Sequence, residues 1–273
     1  MKDLEEYKQM GKNYFNKLKL LTYPIAVRLI SQDEEVPSNI IQPKIMFDSE
    51  IPACITYTWC RRAGMSFFLK GEDIACKPAS IKYFALEKTS DSDAVYNAWA
   101  KKARYKKNVE AEKKSREFDA VLNYGDYKGF VISPLNFSVI KPHLVMIYCS
   151  PLILSHLILA ATYDGGNIVS NFNGMESSCK EAIIRTYITK KCQVIAPGMG
   201  DRVLAGVQDH EMIFSIPESE LENTLNNLFL SGNRIKPSPF SIPHLNATLG
   251  PISLYGKSNE PAVWQYLRKK INE

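Results

Sequence analysis

Three of the six cysteines occur where the sequence predicts the start of a helix. Cys54 lies two residues after Pro52, and Cys76 lies two residues before Pro78. Proline favours the first turn of a helix, because the N–H that it lacks has no partner there. Cys179 follows a serine with the S-x-x-E spacing of a capping box, which predicts Cys179 as the first helical residue.

A helix start gives a thiol a distinct chemistry. The unpaired N–H groups and the positive end of the helix dipole stabilise the thiolate, which binds metal ions and attacks electrophiles. If Cys54, Cys76 and Cys179 converge, they suit a 4Fe–4S or 3Fe–4S cluster with one iron not bound by cysteine. Their separations along the chain match no compact ligand motif, so three unrelated core cysteines remain the alternative.

The other three cysteines are predicted to be structural. In PACITYTWC, Cys60 is six residues from Cys54, which on a helix places the two about 120° and about 9 Å apart. We therefore do not expect Cys54 and Cys60 to bind the same metal centre. Cys149 ends an apolar strand and Cys192 begins one, and small buried thiols are common at such positions.

Four further residues are candidates for binding an anionic group or cofactor. The turn PGMGDR offers backbone N–H groups at Gly198 and Gly200 and the guanidinium of Arg202. Lys77 directly follows a candidate cysteine and offers a cation. The alternative is a plain strand connection and a surface lysine. The sequence has no Walker loop, dinucleotide fingerprint or nucleophile elbow, which disfavours nucleotide and serine-hydrolase chemistry.

Composition and charge are those of an ordinary globular protein, with 23% charged residues and a formal net charge of +5. Residues 101–117 hold eight basic and three acidic residues, and this mixture predicts a solvated helix face, not a nucleic-acid surface. The apolar stretch 151–161 is too short to span a membrane, and no signal peptide is recognised. We expect a cytoplasmic protein with reduced cysteines and no membrane or nucleic-acid partner.

Strand and helix patterns alternate along the chain. They predict an α/β or α+β fold, with a mixed β-sheet flanked by helices in a single compact domain over 1–273. Residues 65–125 are a candidate helical insertion, and 231–273 a proline-rich wrapping tail with a terminal helix. The predicted strands are 23–30, 119–125, 128–135, 143–150, 192–196 and 211–217, and the main predicted helices are 52–63, 78–88, 93–118, 152–163, 179–190 and 218–230.

Several segments follow one another in an order that resembles a known family. They are YPIAVRLI, EDIACKPA, GMESSCKEAIIRTYITKK, GMGDR and DHEMIFSIP. The chain resembles domain-of-unknown-function family 169, the uncharacterised archaeal–clostridial ArCR family, whose members are widespread in anaerobes. The resemblance implies that Cys54, Cys76 and Cys179 are the family's cysteines. Many members have a further cysteine in the glycine turn, where this chain has Met199 and Asp201.

This departure leaves several forms of the site open. The cluster could have an open iron, Asp201 or an outside group as its fourth ligand, or the site could have lost the cluster. The leading hypothesis is an iron–sulfur lyase or oxidoreductase of anaerobic metabolism, acting on a small-molecule substrate or with an electron-transfer partner, as a homodimer by default. The alternatives are a small-anion or cofactor-binding module with structural cysteines, and a thiol enzyme without metal.

Overall fold

The computed structural model of the chain describes residues 2–38, 40–91, 93–231 and Lys269. The strands are β1 (Ile25–Ser31), β2 (Phe67–Leu69), β3 (Tyr127–Pro134), β4 (Leu144–Cys149), β5 (Gln193–Ile195) and β6 (Met212–Pro217). They form one sheet in the order β2-β3-β1-β4-β6-β5, and every neighbouring pair is antiparallel.

Helices precede, connect and follow these strands. The α-helices are α1 (Leu4–Leu18), α2 (Pro43–Phe47), α3 (Ala53–Ala63), α4 (Ala94–Ala98), α5 (Val109–Ser115), α6 (Pro151–Ala161), α7 (Thr186–Thr189), α8 (Met199–Val203) and α9 (Glu218–Leu230). Wider π-helical turns occur at Ala79–Tyr83, Trp99–Ala103 and Ser178–Arg185, and short 3₁₀ turns at Gly71–Asp73 and Leu135–Phe137. None of these helices is both long enough and apolar enough to cross a lipid bilayer.

The two faces of the sheet carry separate apolar cores. On β1, Ile25, Val27 and Leu29 belong to one core, whereas Ala26 and Ile30 belong to the other. This division follows from the two-residue period of a strand. Because both faces are covered, the strand is apolar at almost every position.

Helices α1, α6 and α9 cover the face that carries Ala26 and Ile30, which we call the first face. The phenol of Tyr14 on α1 donates to the carbonyl of Leu221 on α9 over 2.7 Å, which ties two of the helices together. Helix α1 also approaches the turn after β3 closely at Gly11, where a Cβ atom would lie 2.7 Å from the backbone nitrogen of Asn136. A side chain there would push the helix away from the sheet.

The second face is covered by α3, the turns between β2 and β3, and the π-helical turn Ser178–Arg185. Tyr57 and Cys60 of α3 are completely buried against the sheet, and Phe84 stacks on Phe130 with ring centroids 4.3 Å apart. Helix α3 ends at Gly64, whose φ of 75° is a left-handed conformation that glycine adopts without strain. This second layer contains all three candidate cysteines.

The predicted fold class is confirmed, because the chain forms one compact α+β domain with a sheet between helices. The mixed sheet is corrected to an antiparallel one, and parallel pairing appears as two isolated bridges. Alternating strands and helices favour parallel neighbours only where a helix crosses over between them. Here α6 and α7 connect β4 to β5, and these two strands are not neighbours.

The single long helix predicted over 93–118 is wrong. The chain turns at Arg104, which has a φ of 55°, and a new helix begins when the side chain of Asn108 accepts a hydrogen bond from the Ala111 N–H at 2.9 Å. The left-handed residue ends the preceding helical turn, and the asparagine N-cap starts the next helix. Helix bounds in such polar stretches cannot be read from charge alone.

Two neighbouring predictions also need correction. The strand predicted over 119–125 is absent, and the helix predicted over 78–88 is only the turn Ala79–Tyr83. The backbone N–H of Leu122 instead bonds to the carbonyl of Tyr83 over 3.0 Å, so the two segments are joined outside the sheet. The predicted helical insertion 65–125 is not helical throughout, because it contains β2, which belongs to the sheet. The predicted tail over 231–273 lies outside the described residues apart from its first residue and Lys269.

Candidate functional site

Cys54 lies in the first turn of α3, as predicted, and is half-buried. The backbone N–H groups of Cys54 and Ile55 act to lower the pKa of its thiol, but burial outweighs them. The thiol also lies 3.7 Å from the carbonyl oxygen of Gly200, on α8. The start of α3 therefore faces the glycine turn PGMGDR.

Cys76 lies just before the turn Ala79–Tyr83, also near a helix start. The N–H of Ala79 donates to the Cys76 carbonyl oxygen over 2.9 Å and acts to lower the pKa of the half-buried thiol. This turn packs against the segment Ser178–Arg185, which carries Cys179. Two chain segments about a hundred residues apart thus bring two of the candidate cysteines to one region.

Cys179 is the second residue of the segment Ser178–Arg185 and is buried. Its sulfur lies 3.4 Å from the phenol oxygen of Tyr57, one turn along α3 from Cys54. The predicted capping box is wrong. Ser178 is inside the helical segment, and its hydroxyl donates to the carboxylate of Asp201.

The three thiols influence one another electrostatically. Burial, together with the charges of Asp201 and Cys76, raises the pKa of Cys54 to about 12. Burial also raises the pKa of Cys179 well above its usual value, with added contributions from Asp201, Cys54 and Cys76. Cys76 has a raised pKa as well, caused first by burial. The structure therefore brings all three candidate thiols into one region around Asp201.

No group of three or more His, Cys, Asp or Glu side chains within the described ranges forms a ready-made site for a metal ion. The three sulfurs share a region but do not surround a single point. The polar groups beside them include the phenol of Tyr57, 3.4 Å from the Cys179 sulfur, and the carbonyl of Gly200, 3.7 Å from the Cys54 sulfur.

Asp201 is the buried acid of this region. It accepts hydrogen bonds from the Ser178 hydroxyl and, over 2.9 Å, from the Gly198 N–H. Burial nevertheless raises its pKa above the usual value. The N–H of Gly198, predicted to bind an anionic ligand, is therefore directed at the chain's own carboxylate.

The other predicted anion-binding residues have partners within the protein. Arg202 donates to the carbonyl of Gln208 over 2.6 Å. Lys77 lies 2.9 Å from the Glu50 carboxylate and 3.2 Å from that of Glu87. Gly200 offers its carbonyl, not its N–H, to the region of the thiols. Their role towards a bound anion stays a prediction.

A buried ionic cluster adjoins Cys76. The Arg116 guanidinium lies 2.6 Å from Glu112 and 3.2 Å from Glu176, and the side chains of Arg116 and Glu112 are completely buried. Lys180, next to Cys179 in sequence, is also buried and lies 2.6 Å from Asp119. The charges of Arg116 and Glu176 both reach the Cys76 sulfur.

This ionic cluster corrects the prediction that residues 101–117 form a solvated helix face. Most of that stretch is exposed, but Glu112 and Arg116 point into the protein. A helix presents residues four apart on the same side, so one face can be buried while the rest is solvated. The only sequence signal for this buried pair is the i, i+4 spacing of Glu112 and Arg116. Such spacing does not distinguish a buried ion pair from an exposed one.

A buried ion pair holds α3 against the loop after α8. Arg61 is completely buried and lies 2.5 and 3.0 Å from the two carboxylate oxygens of Glu211. On the same side of α3, the Thr58 hydroxyl donates to the Ala205 carbonyl over 2.8 Å. These contacts hold the second half of α3 against this loop, and the helix in turn positions Cys54 at its first turn.

The three cysteines predicted to be structural lie in the apolar cores. Cys60 is completely buried in the core on the second face, and Cys149 is buried in the core on the first face. Cys192 is half-buried and packs against that first core.

Sequence reasoning did not identify Tyr57 as a partner of Cys179. It also did not identify Glu176 and Arg116 as neighbours of Cys76. Tyr57 does have a signal, since it follows Cys54 by three residues and therefore lies on nearly the same side of α3. The approach of Arg116 depends on the fold between β2 and β3, which no local pattern predicts.

Fold and site together define a compact α+β protein with a buried three-thiol region between helix starts. The model of domain-of-unknown-function family 169, described as uncharacterised ArCR, matches residues 15–227, and the chain belongs to this family. It is 22% identical over 222 residues to the uncharacterized protein MJ0308 of Methanocaldococcus jannaschii, covering 81% of this chain and 93% of that protein. No solved structure matches.

Proposed function

We propose that the protein is an iron–sulfur protein of anaerobic metabolism in which Cys54, Cys76 and Cys179 bind a 4Fe–4S cluster. The observation that carries the proposal is the packing of the segment Ser178–Arg185, which carries Cys179, against both α3, which carries Cys54, and the turn after Cys76. Simple core packing gives no reason for three cysteines near helix starts to meet in one region.

The donor set suits a cluster better than a single ion. One ion needs all its ligand atoms at bonding distance from one point, about 2.3 Å for sulfur on zinc. A cluster binds each thiolate through a different iron, so its ligands lie further apart. The described side chains offer no ready-made site for a single ion.

Charge and hydrogen bonding also support this donor set. Three thiolates beside the buried Asp201 would repel one another strongly, and the iron ions of a cluster would compensate that charge. Backbone N–H groups act to lower the pKa of the Cys54 and Cys76 thiols, and hydrogen bonds from such groups tune cluster potentials. When bound, a cluster supplies electron transfer or a Lewis-acidic iron.

Asp201 is our candidate for the fourth ligand. Its charge acts on all three thiols, and it lies in the glycine turn, where the family pattern has a further cysteine. If Asp201 keeps its hydrogen bonds to Ser178 and Gly198 instead, the fourth iron is open to a small-molecule substrate. The first arrangement favours electron transfer and the second favours a lyase or an oxidoreductase.

A thiol enzyme without metal is less well supported. It needs one cysteine activated as a thiolate near neutral pH. Burial instead raises the pKa of all three candidate thiols. Because a cluster needs reduced cysteines, we also propose that the protein works in the cytoplasm.

The experiment is anaerobic purification and reconstitution with ferrous iron and sulfide. We expect a brown protein with about four irons and four sulfides per chain and a paramagnetic resonance signal on reduction. Cys54→Ala, Cys76→Ala and Cys179→Ala should each lose most of the iron.

Cys60→Ala and Cys149→Ala are the matched controls, because they remove buried thiols from the cores and leave the three-thiol region intact. Both should retain the iron of the wild type. Circular dichroism and thermal melting of all five variants separate loss of the cluster from loss of the fold. A colourless, iron-free wild type after reconstitution, or equal iron in all variants, would overturn the proposal.

A further inference from the structure

A cavity of about 410 Å³ lies between the segment that carries Lys82 and the chain around Asp119. This size falls within the range of small-molecule sites. Its walls are largely apolar, and Lys82, Arg116 and Asp119 supply charged groups. The apolar part of the lining consists of Ile81, Val95, Val121 and the ring of Tyr96.

Lys82 is the cation that is best placed to meet a ligand in this cavity. Its side chain is 15% exposed, whereas those of Arg116 and Lys180 are completely buried. The ammonium donates to the Tyr96 phenol oxygen over 2.9 Å and lies 4.5 Å from the centre of that ring. An ammonium has three donors, and a phenol oxygen brings no negative charge at neutral pH.

The carboxylate nearest to Lys82 is shared with two other cations. Asp119 lies 2.6 Å from Lys180, and 3.7 Å from both Lys82 and Arg116. Arg116 is balanced by Glu112 and Glu176. Lys180 lies 2.6 Å from Asp119 and 3.6 Å from Glu181, whereas Lys82 has, among the described carboxylates, only the more distant contact with Asp119. Lys82 is therefore the least compensated cation of the group.

We propose that this cavity binds a small monocarboxylate with an apolar body, whose carboxylate meets the ammonium of Lys82. One poorly compensated cation matches one negative charge, and the apolar walls match a ring or a branched chain. The nearby carboxylates of Glu117 and Asp119 oppose a dianion such as phosphate. Arg116 directs its donors to Tyr83, Glu112, Glu176 and Met175, which leaves Lys82 as the group that meets the ligand carboxylate.

The proposal is independent of the cluster, because the described lining of the cavity contains no cysteine. Isothermal titration calorimetry with benzoate tests it, with neutral benzamide and inorganic phosphate as comparison probes. We expect benzoate to bind at least about tenfold more tightly than either, since a charge-assisted hydrogen bond is lost with benzamide. No binding of benzoate at millimolar concentration, or equal binding of benzamide or phosphate, would overturn the proposal.

Variants locate the site. Lys82→Met removes the charge and keeps most of the aliphatic stem, and it should weaken benzoate binding at least about tenfold. Lys101→Met is the matched control, because Lys101 is an exposed lysine of the same region that does not line the cavity. It should leave the affinity unchanged, and equal losses in both variants would contradict the assignment.

Two further variants keep the test decisive if Lys82→Met fails to fold. Val121 lines the cavity and is 43% exposed, so Val121→Trp can fill the opening without entering a core. This variant should abolish benzoate binding, and retained affinity would refute the site. Cys76→Ala should bind benzoate as the wild type does, so a failed cluster and a failed carboxylate site give different results.

Discussion

The buried pair of Arg61 and Glu211 offers the sharpest test of how the structure positions the thiol region. In Glu211→Gln the guanidinium stays buried, but it loses the opposite charge that lies 2.5 and 3.0 Å away. The same carboxylate accepts a hydrogen bond from the Gln208 N–H over 2.8 Å. The substitution therefore affects α3 and the loop after α8 together.

The expected magnitude follows from burial. Arg61 is 0% exposed, the Glu211 side chain is 11% exposed, and water has little access to either charge. Removing one partner of such a pair destabilises a protein by about 3–5 kcal/mol, and we expect about 3 because glutamine keeps one oxygen as an acceptor. In a domain of this size that lowers the melting temperature by roughly 6–12 °C.

Urea unfolding followed by circular dichroism measures the free energy of unfolding. Asp93→Asn is the matched control. It breaks an ion pair of similar length, 2.7 Å between Lys113 and Asp93, whose side chains are 45% and 47% exposed. The control should lose less than about 1 kcal/mol, because water screens exposed pairs. The double variant Arg61→Met with Glu211→Leu should recover at least half of the loss.

The effect has a defined pH dependence. Burial alone would raise the pKa of Glu211, but hydrogen bonds from Arg61 and the Gln208 N–H outweigh it and hold the pKa below its usual value. Such a carboxyl stabilises the fold above its unfolded pKa, about 4.3, and loses that contribution as pH falls through the folded pKa. The difference between wild type and Glu211→Gln should be complete at pH 7 and shrink below about pH 4. A loss under 1 kcal/mol at pH 7, or one independent of pH, would refute the reasoning.

Three further outcomes are expected. Gly129→Ala should destabilise the protein by several kcal/mol in urea unfolding, because its Cβ would lie 2.4 Å from the Leu69 carbonyl oxygen. A variant as stable as the wild type would contradict the close contact of β2 and β3. The imidazole of His143, whose pKa burial and nearby cations lower to about 4, should show no titration by nuclear magnetic resonance between pH 8 and 5.5. Its stabilisation is present above the unfolded pKa near 6.5 and is lost towards pH 4. Lys77→Met should cost less than about 1 kcal/mol, since both of its ion pairs are partly exposed, and a larger loss would show a buried role.

Local patterns were sufficient for much of the fold. Continuous apolar runs predicted β1, β4 and β6, and proline and glycine positions predicted the bounds of α3 within one residue. The helix starts beside Cys54 and Cys76 followed from the same prolines. These features depend on neighbours in the sequence, which is why the sequence predicts them.

The remainder depends on contacts between distant segments. Nothing near Arg116 in the sequence indicates that Glu176 covers it, and nothing near Ser178 indicates that its hydroxyl prefers Asp201 to a capping role. Local patterns also did not predict that the sheet is antiparallel, because relative strand direction depends on which strands become neighbours. Sequence reasoning could name the candidate thiols, but not their companions.

The π-helical geometry of Ser178–Arg185 makes the location of Cys179 unusually sensitive to chain length. Each such turn holds about one residue more than an α-helical turn, and π-bulges are frequent at functional sites. Deleting a single residue downstream of Cys179 would let the segment relax to ordinary winding and rotate the thiol by about 100° around the axis. Tyr57 would then lose its sulfur neighbour although no atom of either side chain had changed. At this point of the molecule, the number of residues matters as well as their identity.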